Sequence, residues 1–113
     1  MANKNTYPAE VAKVINEYKL VINRGSIDNV KLDQKFLVYS ISDEEVFDPT
    51  TKESLGYLEI PKGTGKVIHI QERMATLETD MVETDPIKKL SALSGPYKKP
   101  FISVRVGDKV KPV

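Results

Sequence analysis

The sequence predicts an all-β domain: a small single-domain barrel of about five to seven strands, with at most one short helix near residues 85–94. Two observations carry this expectation. Residues 35–41 alternate as a strand does, with Phe36 and Val38 pointing to one side. Residues 55–79 contain three further apolar runs joined by short, turn-rich segments, which is the pattern of a β-meander.

The composition indicates one globular domain spanning residues 1–113, with a flexible start at 1–8 and a long connection at 80–103. A chain of 113 residues is long enough to enclose one hydrophobic core. The hydrophobic content of 40% and the charged content of 29% are ordinary for such a domain. The absence of Cys excludes disulfides, thiolate zinc sites and cysteine nucleophiles.

No apolar run reaches the ~20 residues that a membrane helix needs, so the sequence predicts no membrane span. The opening residues also lack the apolar core of a secretory signal. We therefore expect a cytoplasmic protein, or a periplasmic one if a signal peptide has been removed.

The first element, residues 6–22, is open to two interpretations. Val11 and Val14 fit the spacing of a helix, whereas the abundance of Val and Ile favours two strands that turn at Asn16-Glu17. Periodicity alone does not decide between them.

The strand at 35–41 has apolar residues on both sides, so we expect it to be central and buried. Residues 43–59 then carry six acidic residues and one Lys. This composition predicts a solvated acidic connection with a turn at Asp48-Pro49-Thr50-Thr51, because Pro and Asp both favour turns.

The strands of the meander are predicted at 55–60, 66–71 and 74–79, with a break at the Gly- and Pro-rich residues 61–65. The expected core residues are Phe36, Val38, Ile68, Ile70 and Leu77. Asp85-Pro86 has the features of a helix cap and first turn, so a short helix is predicted from there to residue 94.

One short pattern occurs twice. Residues 30–36 and residues 104–110 share the order apolar, basic, apolar, turn pair, Lys, apolar. Asp33 stands where Gly107 stands, and Asp is one of the few residue types that tolerate a positive φ. The pattern predicts two similar corners, each leading into a strand.

Several stretches carry a family resemblance: residues 21–30, 35–39, Asp48-Pro49, Thr51, Glu53, Leu55-Gly56, Lys66-Val67 and Gly107-Asp108. They resemble the C-terminal domain of flagellar assembly protein T and related small bacterial β-barrel domains. The resemblance implies a small, non-enzymatic barrel used for assembly or protein contact, and a strand pair at 10–23. Asn29 stands where that family often has Gly, and Asp33-Gln34 stands where it often has Gly-Asp.

The candidate chemistry is sparse. The acidic residues between Asp43 and Glu59 lack the spacing and the central Gly of a calcium loop, so a solvated acidic segment is the better interpretation. His69 is the single His and has no Cys partners, so we expect it to face solvent. We therefore expect no catalytic, cofactor-binding or metal-binding residues, and no enzymatic activity.

The C-terminal segment, residues 86–113, carries seven basic residues and one acidic residue. A solvated loop, an acidic protein partner and nucleic acid are all open interpretations, since barrels that bind single strands combine basic grooves with aromatic residues. We expect another protein as the partner, with nucleic acid bound through this segment as the alternative. The expected partner-binding residues are Tyr97, Lys98, Lys99 and Phe101.

The terminal strand carries Lys109, Lys111 and Pro112, the residue types that guard an exposed sheet edge. This pattern predicts that the terminal strand is an edge strand. A homo-oligomer that forms through this strand is also an open interpretation.

Overall fold

A computed structural model describes residues 7–82 and 98–113 of the chain. Within them lie six strands: β1 (Ala9–Asn16), β2 (Lys19–Ile22), β3 (Lys35–Phe47), β4 (Ser54–Ile70), β5 (Ala75–Thr79) and β6 (Lys109–Pro112). The strands close into a barrel in the order β1-β2-β5-β4-β3-β6, and every neighbouring pair is antiparallel. The prediction of a small all-β barrel is confirmed. The helix predicted near 85–94 and most of the connection at 80–103 lie outside the described residues.

The ambiguous first segment is a pair of strands, as the resemblance implied. The side-chain Oδ1 of Asn16 accepts hydrogen bonds from the backbone N–H groups of Tyr18 and Lys19, at 2.8 and 3.0 Å. This local bonding favours a turn over a continuing helix, because Asn offers the backbone an alternative to helical hydrogen bonds.

The core receives side chains from all six strands and from Val30 and Phe101, which lie between strands. Its buried members are Ala9, Val11, Leu20, Ile22, Val30, Phe36, Val38, Val67, Ala75, Leu77, Phe101 and Val110. The core positions predicted for Phe36, Val38 and Leu77 are confirmed, and Ile70 packs against this core while partly buried.

The core position predicted for Ile68 is wrong, because a β-bulge interrupts the alternation of β4. Val67 pairs with Leu77 and His69 pairs with Thr76, so Ile68 is an extra residue without a partner on β5. Val67 occupies the core, while Ile68 and His69 are both exposed. The solvent-facing position predicted for His69 is confirmed.

The break predicted at residues 61–65 is also wrong, since β4 runs through these residues without interruption. Pro61 lies opposite Tyr39 and Gly63 lies opposite Val38, which leaves Lys62 as an extra residue in a second bulge. Proline is tolerated in strands at such irregular positions because it has no N–H to give to the ladder.

The acidic stretch begins as a strand and not as a loop, because β3 continues to Phe47. β3 is central, as predicted, with β4 on one side and β6 on the other. Its outer side is only locally buried: Tyr39 is covered by Lys111, whose Nζ lies 4.7 Å from the ring centroid, whereas Ile41 is exposed.

The two predicted corners adopt the same conformation. Asp33 in the first corner (residues 31–34) has φ 65°, and Gly107 in the second (residues 105–108) has φ 94°. Asn29, just before the first corner, also has a positive φ of 64°. Asn and Asp therefore serve at left-handed positions that glycine occupies most readily.

Each corner forms backbone hydrogen bonds with one strand residue, Val67 of β4 or Val11 of β1, in the same way. The N–H of Asp33 donates to the carbonyl of Val67 at 2.9 Å, and that of Gly107 donates to the carbonyl of Val11 at 2.8 Å. The N–H groups of Val67 and Val11 donate back to the corners at 3.0 and 2.8 Å. The chain thus runs twice through hairpin, corner and strand, first as β1-β2-β3 and then as β4-β5-β6.

A buried ion pair fastens the second corner to β4. The Nζ of Lys62 lies 2.9 Å from Oδ2 of Asp108, and the side chains are only 12% and 9% exposed. Lys62 also donates to the carbonyl of Ser103 at 3.0 Å, and Asp108 accepts from the N–H of Arg105 at 2.7 Å. Both charges are therefore paired and hydrogen-bonded, as charges removed from water must be.

Candidate functional site

The two longest strands extend beyond the rest of the barrel as a two-stranded arm, residues 40–60. The pairing of β3 with β6 ends at Tyr39, and the pairing of β4 with β5 begins only at Gly65. Past these points β3 and β4 pair with each other, down to Phe47 opposite Ser54, with register irregularities between Ile41 and Glu45 and at Leu55. A lone hairpin is marginal in water, so the continuity of both strands with the barrel is what holds this arm.

The tip of the arm is a turn held by one side chain. Oδ1 of Asp48 accepts hydrogen bonds from the N–H groups of Thr50 and Thr51, at 2.7 and 2.9 Å. Lys52 then takes a left-handed conformation with φ 67°, and its N–H donates to the carbonyl of Asp48 at 2.9 Å. The predicted turn at Asp48-Pro49-Thr50-Thr51 is confirmed.

The turn should respond to pH through Asp48. The two backbone N–H donors hold the pKa of its carboxyl group below the usual value, because they stabilise the charged form. The stabilisation is therefore fully present above the ordinary aspartate pKa of ~3.9 and is lost as the pH falls through the lower folded value. Following the Thr50 and Thr51 amide signals by NMR should give a midpoint below that of Asp in an unfolded peptide. Asp48→Ala should abolish the transition, and an unshifted midpoint would contradict the turn geometry.

Large apolar side chains are exposed on the arm. They are Ile41, Val46, Phe47, Leu55, Tyr57, Leu58 and Ile60, with exposed fractions between 39% and 64%. Large apolar side chains that are exposed singly are ordinary, but several of them close together on one element indicate an interaction site.

The apolar residues occupy both sides of the arm. Ile60 lies opposite Ser40, which alternates along β3 with the core residues Phe36 and Val38. Ile60, and with it Leu58 two residues earlier, therefore continues the core-facing side of the sheet past the end of the barrel.

The opposite side continues the outer surface of the barrel. Ile41 lies opposite Glu59 on this side, and Tyr57 follows two residues from Glu59 along β4. A shallow groove of about 200 Å³ lies near the tip, lined by Val46, Leu55, Gly56, Tyr57, Leu58 and Glu59. The arm thus offers apolar contact area on two sides.

The charge of the arm is strongly negative. Residues 43–59 hold six acidic residues and one Lys. Within the described part of the chain, the salt bridge of this stretch joins Glu59 to Lys111 at 2.7 Å. That hydrogen bond raises the pKa of the Lys111 ammonium group. Most of the negative charge is left for solvent or for a partner.

The structure places the predicted partner-binding residues in different environments. Tyr97 lies outside the described residues. Lys98 and Lys99 are exposed, and Nζ of Lys98 lies 2.9 Å from a carboxylate oxygen of Glu78. Phe101 is 4% exposed and belongs to the core.

The surface position expected of Phe101 is therefore corrected. Its N–H donates to the carbonyl of Glu17 at 2.9 Å, which ties the segment to the β1–β2 turn. Its ring fills space that Gly65 leaves open, since a Cβ on Gly65 would lie 3.0 Å from the ring. A large apolar ring is stabilised by burial, and here the barrel provides room for it.

The terminal strand is not an edge, contrary to the sequence-based expectation. β6 pairs with β1 through Lys109 and Val110 and with β3 along Lys109–Pro112. Within the described residues, the longest stretches that lack a partner strand on one side lie in the arm.

The basic residues described in the C-terminal segment are Lys98, Lys99, Arg105, Lys109 and Lys111. Three of them form salt bridges: Lys98 with Glu78, Lys109 with Glu10, and Lys111 with Glu59. Intramolecular pairing thus engages part of the charge that nucleic acid would need.

In residues 7–82 and 98–113, no three His, Asp or Glu side chains converge as metal ligands do. A second depression, of about 400 Å³, is lined by Asn16, Tyr18, Lys19, Glu78 and Lys98. The carboxylate of Glu78 already forms salt bridges with Lys19 and Lys98, at N–O distances of 3.8 and 2.9 Å. The arm is therefore the best candidate for a functional site.

The sequence contained one signal for the arm that our interpretation missed. The run Leu55-Gly56-Tyr57-Leu58-Glu59-Ile60 is apolar at both even and odd positions, although it follows an acidic stretch. A strand without a polar side is either buried in a core or exposed as a contact surface.

Comparison of the chain with protein-family models and with curated proteins gave no match. In the described ranges, none of the helical structure has the length and apolar character needed to cross a membrane.

Proposed function

We propose that this protein is a non-catalytic protein-interaction or assembly module, and that its arm is the contact element. One observation carries the proposal: a row of large apolar side chains is exposed on a strand pair that projects from a closed barrel. Burying such side chains stabilises a complex by about 25 cal/mol per Å² of apolar surface before the costs of association.

The distribution of charge supports a protein partner over nucleic acid. The exposed apolar surface lies on the most acidic stretch of the chain. The negative charge of this stretch would repel the phosphates of a nucleic acid. Phe101, which would have to be exposed to stack on a base, is buried. This removes one support for the alternative, nucleic-acid binding through residues 86–113. The resemblance to flagellar assembly protein T points to the same class of function, an assembly domain.

A photo-crosslinking amino acid at position 58 in the native host tests the proposal. Leu58 is 58% exposed in the arm, and Val106 is a matched control that is 66% exposed in the second corner. We expect a discrete crosslinked product from position 58 and none from position 106.

Two results would contradict this assignment. Equal crosslinking from the two positions would show that exposure alone determines the reaction. Products from probes at Lys98 and Lys99, with none from position 58, would instead favour the surface predicted from the sequence.

A further inference from the structure

Among the described residues, both backbone edges of the arm lack a partner strand. Residues 54–60 of β4 have β3 on one side, and none of the described strands pairs with their other side. Residues 40–47 of β3 are open in the same way beyond the end of β6. Such an edge presents unpaired N–H and C=O groups that can bond to another strand.

The two edges differ in charge. The β3 edge carries Asp43, Glu44 and Glu45, which guard it against pairing. Residues 54–60 of β4 contain a single charge, that of Glu59, and it is paired with Lys111 at 2.7 Å. The β4 edge is thus the neutral and apolar one.

The β4 edge is complementary to itself. If two copies pair antiparallel about a two-fold axis at Leu58, each Leu58 lies opposite its counterpart and Gly56 lies opposite Ile60. Tyr57 then lies opposite Glu59. The register places no like charges opposite each other and brings apolar side chains together.

We propose that the protein self-associates through this edge, so that β4 of one copy pairs with β4 of a second copy in a four-stranded antiparallel sheet. The proposal rests on the proposed function, because it names the occupant of the same arm. It predicts a two-fold symmetric dimer with the barrels at opposite ends.

The acidic side chains do not prevent this pairing. The two β3 strands would be separated by three strand spacings, or roughly 14 Å. That distance exceeds the Debye length of ~8 Å at physiological ionic strength, so repulsion between the two acidic stretches is largely screened. Added salt should screen the repulsion that remains and so strengthen the dimer, whereas it would weaken a complex with a basic partner.

The area available sets the strength of the dimer. A stable interface buries about 800 Å² on each partner, and the arm exposes its apolar surface on two sides. Pairing through one edge uses only part of that surface. We therefore expect a dimer that dissociates on dilution, not an obligate one.

Sedimentation equilibrium of the purified protein tests the proposal directly. We expect reversible dimerisation whose dissociation constant decreases as salt is raised. Leu58→Lys places two ammonium groups opposite each other and should weaken dimerisation at least tenfold. Leu32→Lys, at a position 61% exposed in the first corner, should leave it unchanged.

A cysteine scan tests the register even if Leu58→Lys perturbs folding. The chain has no Cys, so each variant carries a single thiol. Residues directly opposite in antiparallel strands have Cα atoms about 4.5–5.5 Å apart, within the range that a disulfide spans. Under mild oxidation, Leu58→Cys should form a disulfide-linked dimer, whereas Tyr57→Cys and Leu32→Cys should not.

A protein that stays monomeric at every concentration and salt would overturn the proposal. So would a dimer that Leu58→Lys does not weaken, a dimer that salt weakens, or equal oxidation of all three cysteine variants. Crosslinks in the host between position 58 and a different protein, with a monomeric purified protein, would refute self-association while leaving the proposed function intact.

Discussion

Replacing Phe36 with Ala should destabilise the protein by about 3–5 kcal/mol, the usual effect of removing a buried Phe. The Phe36 side chain is fully buried, and its ring centroid lies 5.9 Å from that of Tyr7. Phe36 also lies between two paired strands, opposite Gly65 on β4 and Pro112 on β6. Because domains of this size are stable by only 5–15 kcal/mol, thermal and urea unfolding should show a large loss or no folded state.

Phe47→Ala is the matched control, because it removes the same side chain from the same strand. Phe47 is 54% exposed in the arm, so we expect a change within about 0.5 kcal/mol. Similar losses from the two variants would show that the arm, and not only the barrel, is packed.

Removing the carboxylate of Asp108 should be nearly as harmful, since it leaves the ammonium group of Lys62 without its partner. Breaking a buried ion pair from one side typically destabilises by about 3–5 kcal/mol. The N–H of Arg105 also loses its acceptor, 2.7 Å away. Asp108→Ala should therefore lower the free energy of unfolding by an amount in that range, as measured by urea denaturation.

An exposed pair provides the comparison. Oε2 of Glu10 lies 3.2 Å from Nζ of Lys109, and the two side chains are 48% and 35% exposed. Glu10→Ala should therefore lower the free energy of unfolding by at most about 1 kcal/mol. Adding Lys62→Met to Asp108→Ala should recover part of the loss, because the unpaired buried charge is then absent. A double variant that is less stable than Asp108→Ala would contradict this explanation.

The parts of the fold that could be predicted from the sequence depend on regular alternation or on turn chemistry. Phe36, Val38 and Leu77 lie at alternate positions of strands that are regular around them, so their burial followed from the pattern. The matching corners were also predictable, because Asp33 and Gly107 both tolerate positive φ.

The errors have a common physical origin in irregular strand pairing. The extra residue Ile68 shifts the alternation of β4 by one, and single-residue slips of this kind leave no mark in hydrophobicity. A Pro in a strand pattern predicts a break, but the position of Pro61 at a bulge removes the conflict with the ladder.

The candidate site was predicted less well than the fold. Phe101 stands among Pro and Lys residues, so its neighbours suggested an exposed loop, and its burial depends on space beside Gly65 that only the assembled barrel creates. The acidic residues after Ile41 suggested a loop for a similar reason. Backbone pairing with β4 at Ile41 and again from Glu45 onward includes them in a strand regardless of their side chains.

The repeated path of the chain makes the barrel a single cooperative unit. Of the six strand interfaces, only β1–β2 and β4–β5 lie within one half, while the other four join the two halves. A cut at the exposed tip of the arm would therefore yield two fragments of three strands, neither able to form a closed ring alone. Mixed together, the fragments have every native interface available, so the tip is the natural place to divide this protein into a complementing pair or to insert a foreign sequence.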